Sequence, residues 1–79
     1  MAKVLLFGRL ADIAGWRERQ VESPFLSALR SRLSDDDPRL GEALAASGVQ
    51  VAVDQMIVRG DTALNAGAEV AFLPPMSGG

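Results

Sequence analysis

Apolar residues along this chain fall in short runs punctuated by glycine, proline and acidic residues. Val4-Leu5-Leu6-Phe7, closed by Gly8, is a continuous apolar run of the kind a buried strand requires. Leu10, Ile13 and Ala14 follow at the i, i+3, i+4 spacing of a helical face, and Gly15 supplies a stop, which predicts one or two helical turns. Residues 16–22 are charged apart from Trp16, Gln20 and Val21, and their polarity suits a second strand at a sheet edge beside the first. Ser23-Pro24 predicts a helix start, with serine capping free N–H groups and proline in the first helical position. Phe25, Leu26, Leu29 and Leu33 then form one stripe over residues 24–33, the helix expected to cover the sheet. Ser34-Asp35-Asp36-Asp37-Pro38 breaks it and reads as a solvated loop. A shorter helix is predicted over residues 40–46, with Leu40, Ala43 and Leu44 apolar and Gly48 beyond its end. Val49, Val51 and Val53 alternate with Gln50 and Ala52 as a third strand, and Asp54-Gln55 turns the chain into Met56-Ile57-Val58, a fourth. After a turn at Arg59-Gly60-Asp61, Leu64-Asn65-Ala66-Gly67 leads to the last strand, Val70-Ala71-Phe72-Leu73.

The first and last strands are the most apolar, which predicts that they lie in parallel at the middle of one sheet while the long helix crosses over to the third strand. The expected fold is an α+β, ubiquitin-like β-grasp roll: a mixed five-stranded sheet with one main helix and a short second helix over residues 1–73, then an extended tail over 74–79. Because side chains alternate across a strand, Val70 and Phe72 share the face under the helix. Leu5, Phe7, Ala71 and Leu73 have the opposite parity and are expected on the uncovered face, with Ile57 extending the patch. A contiguous apolar patch of this kind on a small domain marks a partner interface.

With 79 residues, 48% hydrophobic and 23% charged, the chain supports one domain with its own core. Eight basic and ten acidic residues, interspersed, leave a net charge of -2, which argues against a nucleic-acid footprint. No uncharged stretch approaches the roughly 20 residues of a spanning helix, and no basic segment precedes a long apolar one, so no membrane partner is expected and the cytoplasm is the expected compartment. Cysteine and histidine are absent, which removes disulfides, a thiolate nucleophile, the usual zinc ligands and a general base near neutrality; no metal is expected. Lys3 is the sole lysine, so the chain offers few amine acceptors for isopeptide-linked chains of itself.

That leaves the main-chain end as the place to look for chemistry. Pro74 and Pro75 cannot donate to a sheet ladder and hold the chain extended, Met76 and Ser77 follow, and Gly78 and Gly79 remove all side-chain bulk. Six extended residues reach about 20 Å, enough for a terminal carboxylate to enter a narrow site on another protein.

Val51-Ala-Val-Asp-Gln55, Leu64, Gly67 and above all Glu69-Val-Ala-Phe-Leu-Pro-Pro-Met-Ser-Gly-Gly79 resemble the MoaD-like family, the small, sulfur-carrier subunits of molybdopterin synthase. Lys3-Val-Leu-Leu-Phe-Gly8 and the turn ending at Gly15 are similar to that family's opening. The resemblance implies that an ATP-dependent enzyme adenylates the carboxylate of Gly79, that the adenylate becomes a thiocarboxylate, and that the tip donates its sulfur inside the large subunit of the synthase to build the dithiolene of molybdopterin. It further implies that Pro74, Pro75, Met76, Ser77 and Gly78 thread the tip, that the sheet face engages the partners, and that no cofactor is held permanently. At Ala11 many family members carry arginine or another polar residue, which removes an ionic contact and leaves Arg9 as the candidate substitute. Three other readings compete: a thiamine-type sulfur carrier, usually shorter and without Pro-Pro-x-Ser; a ubiquitin-like protein modifier; and a noncovalent interaction module whose tail does no chemistry.

Overall fold

The computed structural model describes residues 1–75. Among them the apolar runs form one mixed sheet of β1 (Ala2–Leu6), β2 (Glu18–Val21), β3 (Gln50–Val53), β4 (Met56–Val58) and β5 (Glu69–Leu73), in the spatial order β2-β1-β5-β3-β4. The two most apolar strands are adjacent at the centre and parallel, with Val4 opposite Val70 and Leu6 opposite Phe72. β2 and β3 flank this pair, each antiparallel to its neighbour, and so run in the same direction on opposite sides of it. Two strands with that relation cannot be joined by a hairpin, and the chain crosses the sheet through α2 (Leu26–Asp36) and α3 (Pro38–Leu44). The arrangement is the ubiquitin-like β-grasp, with the short α1 (Arg9–Ala14) between the first two strands.

One face of the sheet is covered. Val4, Leu6, Val51, Val70 and Phe72 meet Leu26, Leu29 and Leu33 of α2 and Leu40 and Leu44 of α3 in one core. Burying such side chains contributes about 1.5–3 kcal/mol each, which is how a domain of this size is stabilised without disulfides. The two crossover helices approach closely because Gly41 faces Ser34: a Cβ at position 41 would lie 2.7 Å from the Ser34 Cα. A glycine inside a helix, ordinarily unfavourable by about 1 kcal/mol, is here a packing requirement.

The main helix starts and ends later than its pattern predicts. Ser23 does not cap it; the Ser23 hydroxyl donates to the Phe25 carbonyl at 3.0 Å, and the cap position falls to Phe25, which makes no side-chain cap bond. Pro24 and Phe25 lie before the helix, with Phe25 bridged to Ala63, so Phe25 is half exposed and does not belong to the core stripe. Asp35 and Asp36, expected in a loop, complete the last turn of α2. Asp37 makes the break: its Oδ1 accepts from the N–H groups of Arg39 at 3.2 Å and Leu40 at 3.3 Å, and Pro38 opens α3 without losing a bond. The second helix accordingly begins two residues before its predicted start. Val49 lies outside β3, half-buried against the core.

The missing cap comes from a distant segment. Asp61 Oδ1 accepts from the Ser27 N–H at 2.8 Å and Asp61 Oδ2 from the Ser27 hydroxyl at 2.7 Å, while the Thr62 N–H also donates to Oδ1. These bonds hold the Asp61 carboxyl below the ordinary aspartate value, the Ser27 hydroxyl first and the Ser27 N–H second, with desolvation opposing and Thr62 adding the least. The folded chain therefore keeps Asp61 ionised to lower pH than the unfolded chain does. Its contribution is complete above the unfolded value of about 3.9 and is lost as pH falls through the folded one. Asp61→Asn should lower the melting temperature near neutrality and flatten the parent's loss of stability below about pH 4, as thermal melts across pH would show.

Candidate functional site

The face of the sheet away from the helices carries a row of four side chains set by strand register. Leu5 of β1 pairs with Ala71 of β5, Ala71 with Ala52 of β3, and Ala52 with Ile57 of β4. Strands lie about 4.8 Å apart, so Leu5 and Ile57 stand about 14 Å from each other with two alanines between them. The result is a shallow trough. Ile57 is 48% exposed, whereas Ala71 at 8% and Ala52 at 9% form its floor. Leu73 is half-buried one pleat further on, opposite Gln50, and Phe7, 46% exposed, follows the end of β1. At the other end of the same face Lys3 lies between Gln20 and Glu69, so the face is polar where β5 begins and apolar where it ends.

Register thus brings Leu5, Ala71 and Leu73, expected from strand parity, onto one surface with Ile57, expected to extend it, and Phe7 lies beside its end. Ala52 was not among those expected there, although the alternation of β3 already set Ala52 against the three valines; its small size hid it as a contact residue. Ala11, the departure from the family pattern, is buried, a position for packing, while Arg9 is exposed at the start of α1. Trp16 is half-buried against the core, with the Arg19 guanidinium 4.4 Å from its ring centroid, a cation–π contact that fixes it within this domain.

β5 stops at Leu73, and Pro74, half-buried, and Pro75, exposed, carry the chain beyond it. Both prolines border a cavity of about 100 Å³ whose other walls include Leu10 and Ile13 of α1, Ala43 of α3, and Val49. The remaining tail residues singled out above, Met76, Ser77, Gly78 and Gly79, lie outside the described residues. A wider depression of about 560 Å³ opens between α1 and α3, edged by Arg9, Arg39 and Glu42. No helix among the described residues is long and apolar enough to cross a membrane.

Comparison with known families places the chain: the ThiS family matches residues 4–79. The chain belongs to the ThiS family. Over 81 aligned residues, covering all of both chains, it is 36% identical to the molybdopterin synthase sulfur carrier subunit of Escherichia coli (strain K12). Its fold is similar to that of small archaeal modifier protein 1 from Methanosarcina acetivorans, with a TM-score of 0.88 at 23% identity over 99% of this chain and 95% of that one. It is also similar to a chain in the complex of subunits 1 and 2 of molybdopterin-converting factor from Helicobacter pylori 26695, with a TM-score of 0.74 at 22% identity, covering 99% of this chain and 97% of that one. At those identities the two structures speak to the fold alone. For a ThiS-family chain, β5 is the element that joins core, open face and tail: Val70 and Phe72 anchor it, Ala71 and Leu73 face outward, and the tail continues from its last residue.

Proposed function

We propose that this chain is the sulfur carrier subunit of a molybdopterin synthase and that the carboxylate of Gly79 is the group it carries. The observation that carries the reading is the full-length match to a sulfur carrier subunit in a chain whose buried central strand runs straight into Pro-Pro-Met-Ser-Gly-Gly. Without cysteine or histidine the chain has no side-chain nucleophile suited to holding sulfur near neutral pH. A terminal carboxylate can hold it once activated. An adenylating enzyme would supply ATP, whose α-phosphate the carboxylate attacks with loss of pyrophosphate; a sulfur donor then displaces AMP and leaves a thiocarboxylate. Delivered into the large subunit, that sulfur attacks the pterin precursor, and two rounds build the dithiolene. Gly78 and Gly79 let the end pass through a narrow approach, and the trough from Leu5 to Ile57, with Phe7 and Leu73, is the surface that docks both partners in turn. The cytoplasm, where ATP is available, is the proposed compartment.

Intact mass measurement after incubation with the adenylating enzyme, ATP and a sulfur donor tests this. One oxygen should be replaced by sulfur in the C-terminal fragment alone, and the product should form molybdopterin with the large subunit. An unchanged mass, or a lysine conjugate through Gly79 in place of the thiocarboxylate, would refute the reading.

A further inference from the structure

β5 is flanked by β1, parallel to it, and by β3, antiparallel, so its exit passes between the loop that follows β1 and the loop that precedes β3. Each loop places a glycine close against one of the two prolines of the exit. A Cβ on Gly8 would come within 3.3 Å of Pro74 Cγ, and a Cβ on Gly48 within 3.0 Å of Pro75 Cβ and 3.3 Å of its Cγ. Both glycines have positive φ, +54° and +91°. The helix side of this passage is the mostly apolar cavity bordered by Leu10, Ile13, Ala43 and Val49, with Arg9 also on its wall. Pro74 and Pro75 therefore lie in a seat with a bare backbone on each flank and mostly apolar side chains beneath.

We propose that Gly8 and Gly48 are positioning residues for sulfur transfer: by lacking side chains they let Pro74 and Pro75 sit against α1 and α3, and that seat sets the direction in which residues 76–79 leave the domain. This rests on the carrier reading above and assigns the aim of the tip to two loops that take no part in the chemistry. Proline fixes φ, so a tilt of the seat is passed on to the chain beyond it. A span of four residues reaches at most about 14 Å, and over that reach a swing of about 20° at the root moves the end by about 5 Å. Reacting atoms must meet at about 3–3.5 Å, so a displacement of that size separates them.

The structure supplies its own controls. Gly15 and Gly67 also have positive φ, +83° and +80°, but a Cβ on either meets nothing within 4 Å. Gly15→Ala and Gly67→Ala thus impose backbone strain comparable to Gly48→Ala without touching the tail. Gly8→Ala disturbs the same seat through Pro74. Two readouts apply to each variant alongside a thermal melt. Because the chain has no cysteine and one tryptophan, Ser77→Cys carries a single acceptor dye, and energy transfer from Trp16 reports where the tail points. In a Ser77 background, thiocarboxylated variants are assayed with the large subunit for kcat and KM.

Gly48→Ala should shift the energy transfer and lower kcat by about 10-fold or more with KM nearly unchanged, Gly8→Ala should do so more weakly, and Gly15→Ala and Gly67→Ala should lose stability while keeping both values. Parent values in both seat variants, or an equal shift in the controls, would overturn the proposal. The carrier reading fails separately: if the parent never acquires or donates sulfur, the energy-transfer comparison still decides whether the glycine seat directs the tail.

Discussion

Adding one glycine after Gly79, or deleting Gly79, is expected to reduce sulfur transfer by about 100-fold or more while leaving the melting temperature within experimental error of the parent. The domain loses nothing, because the core ends at Phe72 and the last strand at Leu73, well before the altered position. The tip loses its reach. One residue changes the extent of an extended chain by about 3.5 Å, as large as the whole separation tolerated between reacting groups. Gly79→Ala and Gly78→Val should be graded forms of the same failure, since each adds bulk and restricts φ in the segment proposed to pass a narrow approach. The measurement is molybdopterin formation by the large subunit with variants already thiocarboxylated, so that loading and delivery are read apart. If the lengthened chain, carrying its thiocarboxylate on the new end, worked as fast as the parent, the tip would not be placed by tail length.

Phe7→Asp and Ile57→Asp are expected to weaken binding of the large subunit by about 30-fold or more each, equivalent to about 2 kcal/mol, with the fold intact. Both side chains are about half exposed, so in the free domain a carboxylate at either position stays hydrated. Closing the trough against a partner would strip that hydration without supplying a counter-charge. Leu73→Asp should act in the same direction with some loss of stability, because Leu73 is half-buried. Ala71→Asp is the poorer probe, since position 71 is 8% exposed and an added carboxylate there strains the sheet itself. Isothermal titration with the large subunit, paired with circular dichroism, separates the two effects; unchanged affinity for both Phe7→Asp and Ile57→Asp would remove the open face from the interface.

Several features were legible because they are local. The alternation of Val51 and Val53, the parity of Val70 and Phe72 against Ala71 and Leu73, and the stop that Pro74 imposes on β5 all follow from a period of two and from the missing N–H of proline. The parallel pairing of β1 with β5 could be argued from their apolar content and from the crossover of the main helix to the third strand. The start of α2 could not. Ser23-Pro24 is a sound local signal, yet the cap on α2 is supplied by Asp61, 34 residues beyond Ser27. Local propensity yields when tertiary contacts satisfy the first-turn N–H groups of a helix that starts later, here Leu26 to the Thr62 carbonyl and Ser27 to Asp61. Likewise the acidic run read as a loop, whereas two of its residues extend α2 and the third caps α3.

The candidate site divides along the same line. Sequence alone directed the proposed chemistry to the main-chain end, since the chain has neither cysteine nor histidine and Gly-Gly adds no side-chain bulk there. It also determined which residues of each strand face away from the helix, because that parity is a property of the chain. Only the tertiary structure decided which of those residues become neighbours. The row from Leu5 through Ala71 and Ala52 to Ile57 exists because register brings four separate strands together, and register depends on pairing energies summed over the whole sheet. It likewise decided that Gly8 and Gly48, 40 positions apart and each an ordinary loop glycine in sequence, stand on either side of the two prolines: what they do depends on atoms brought near by the fold, which no reading of their own neighbours contains.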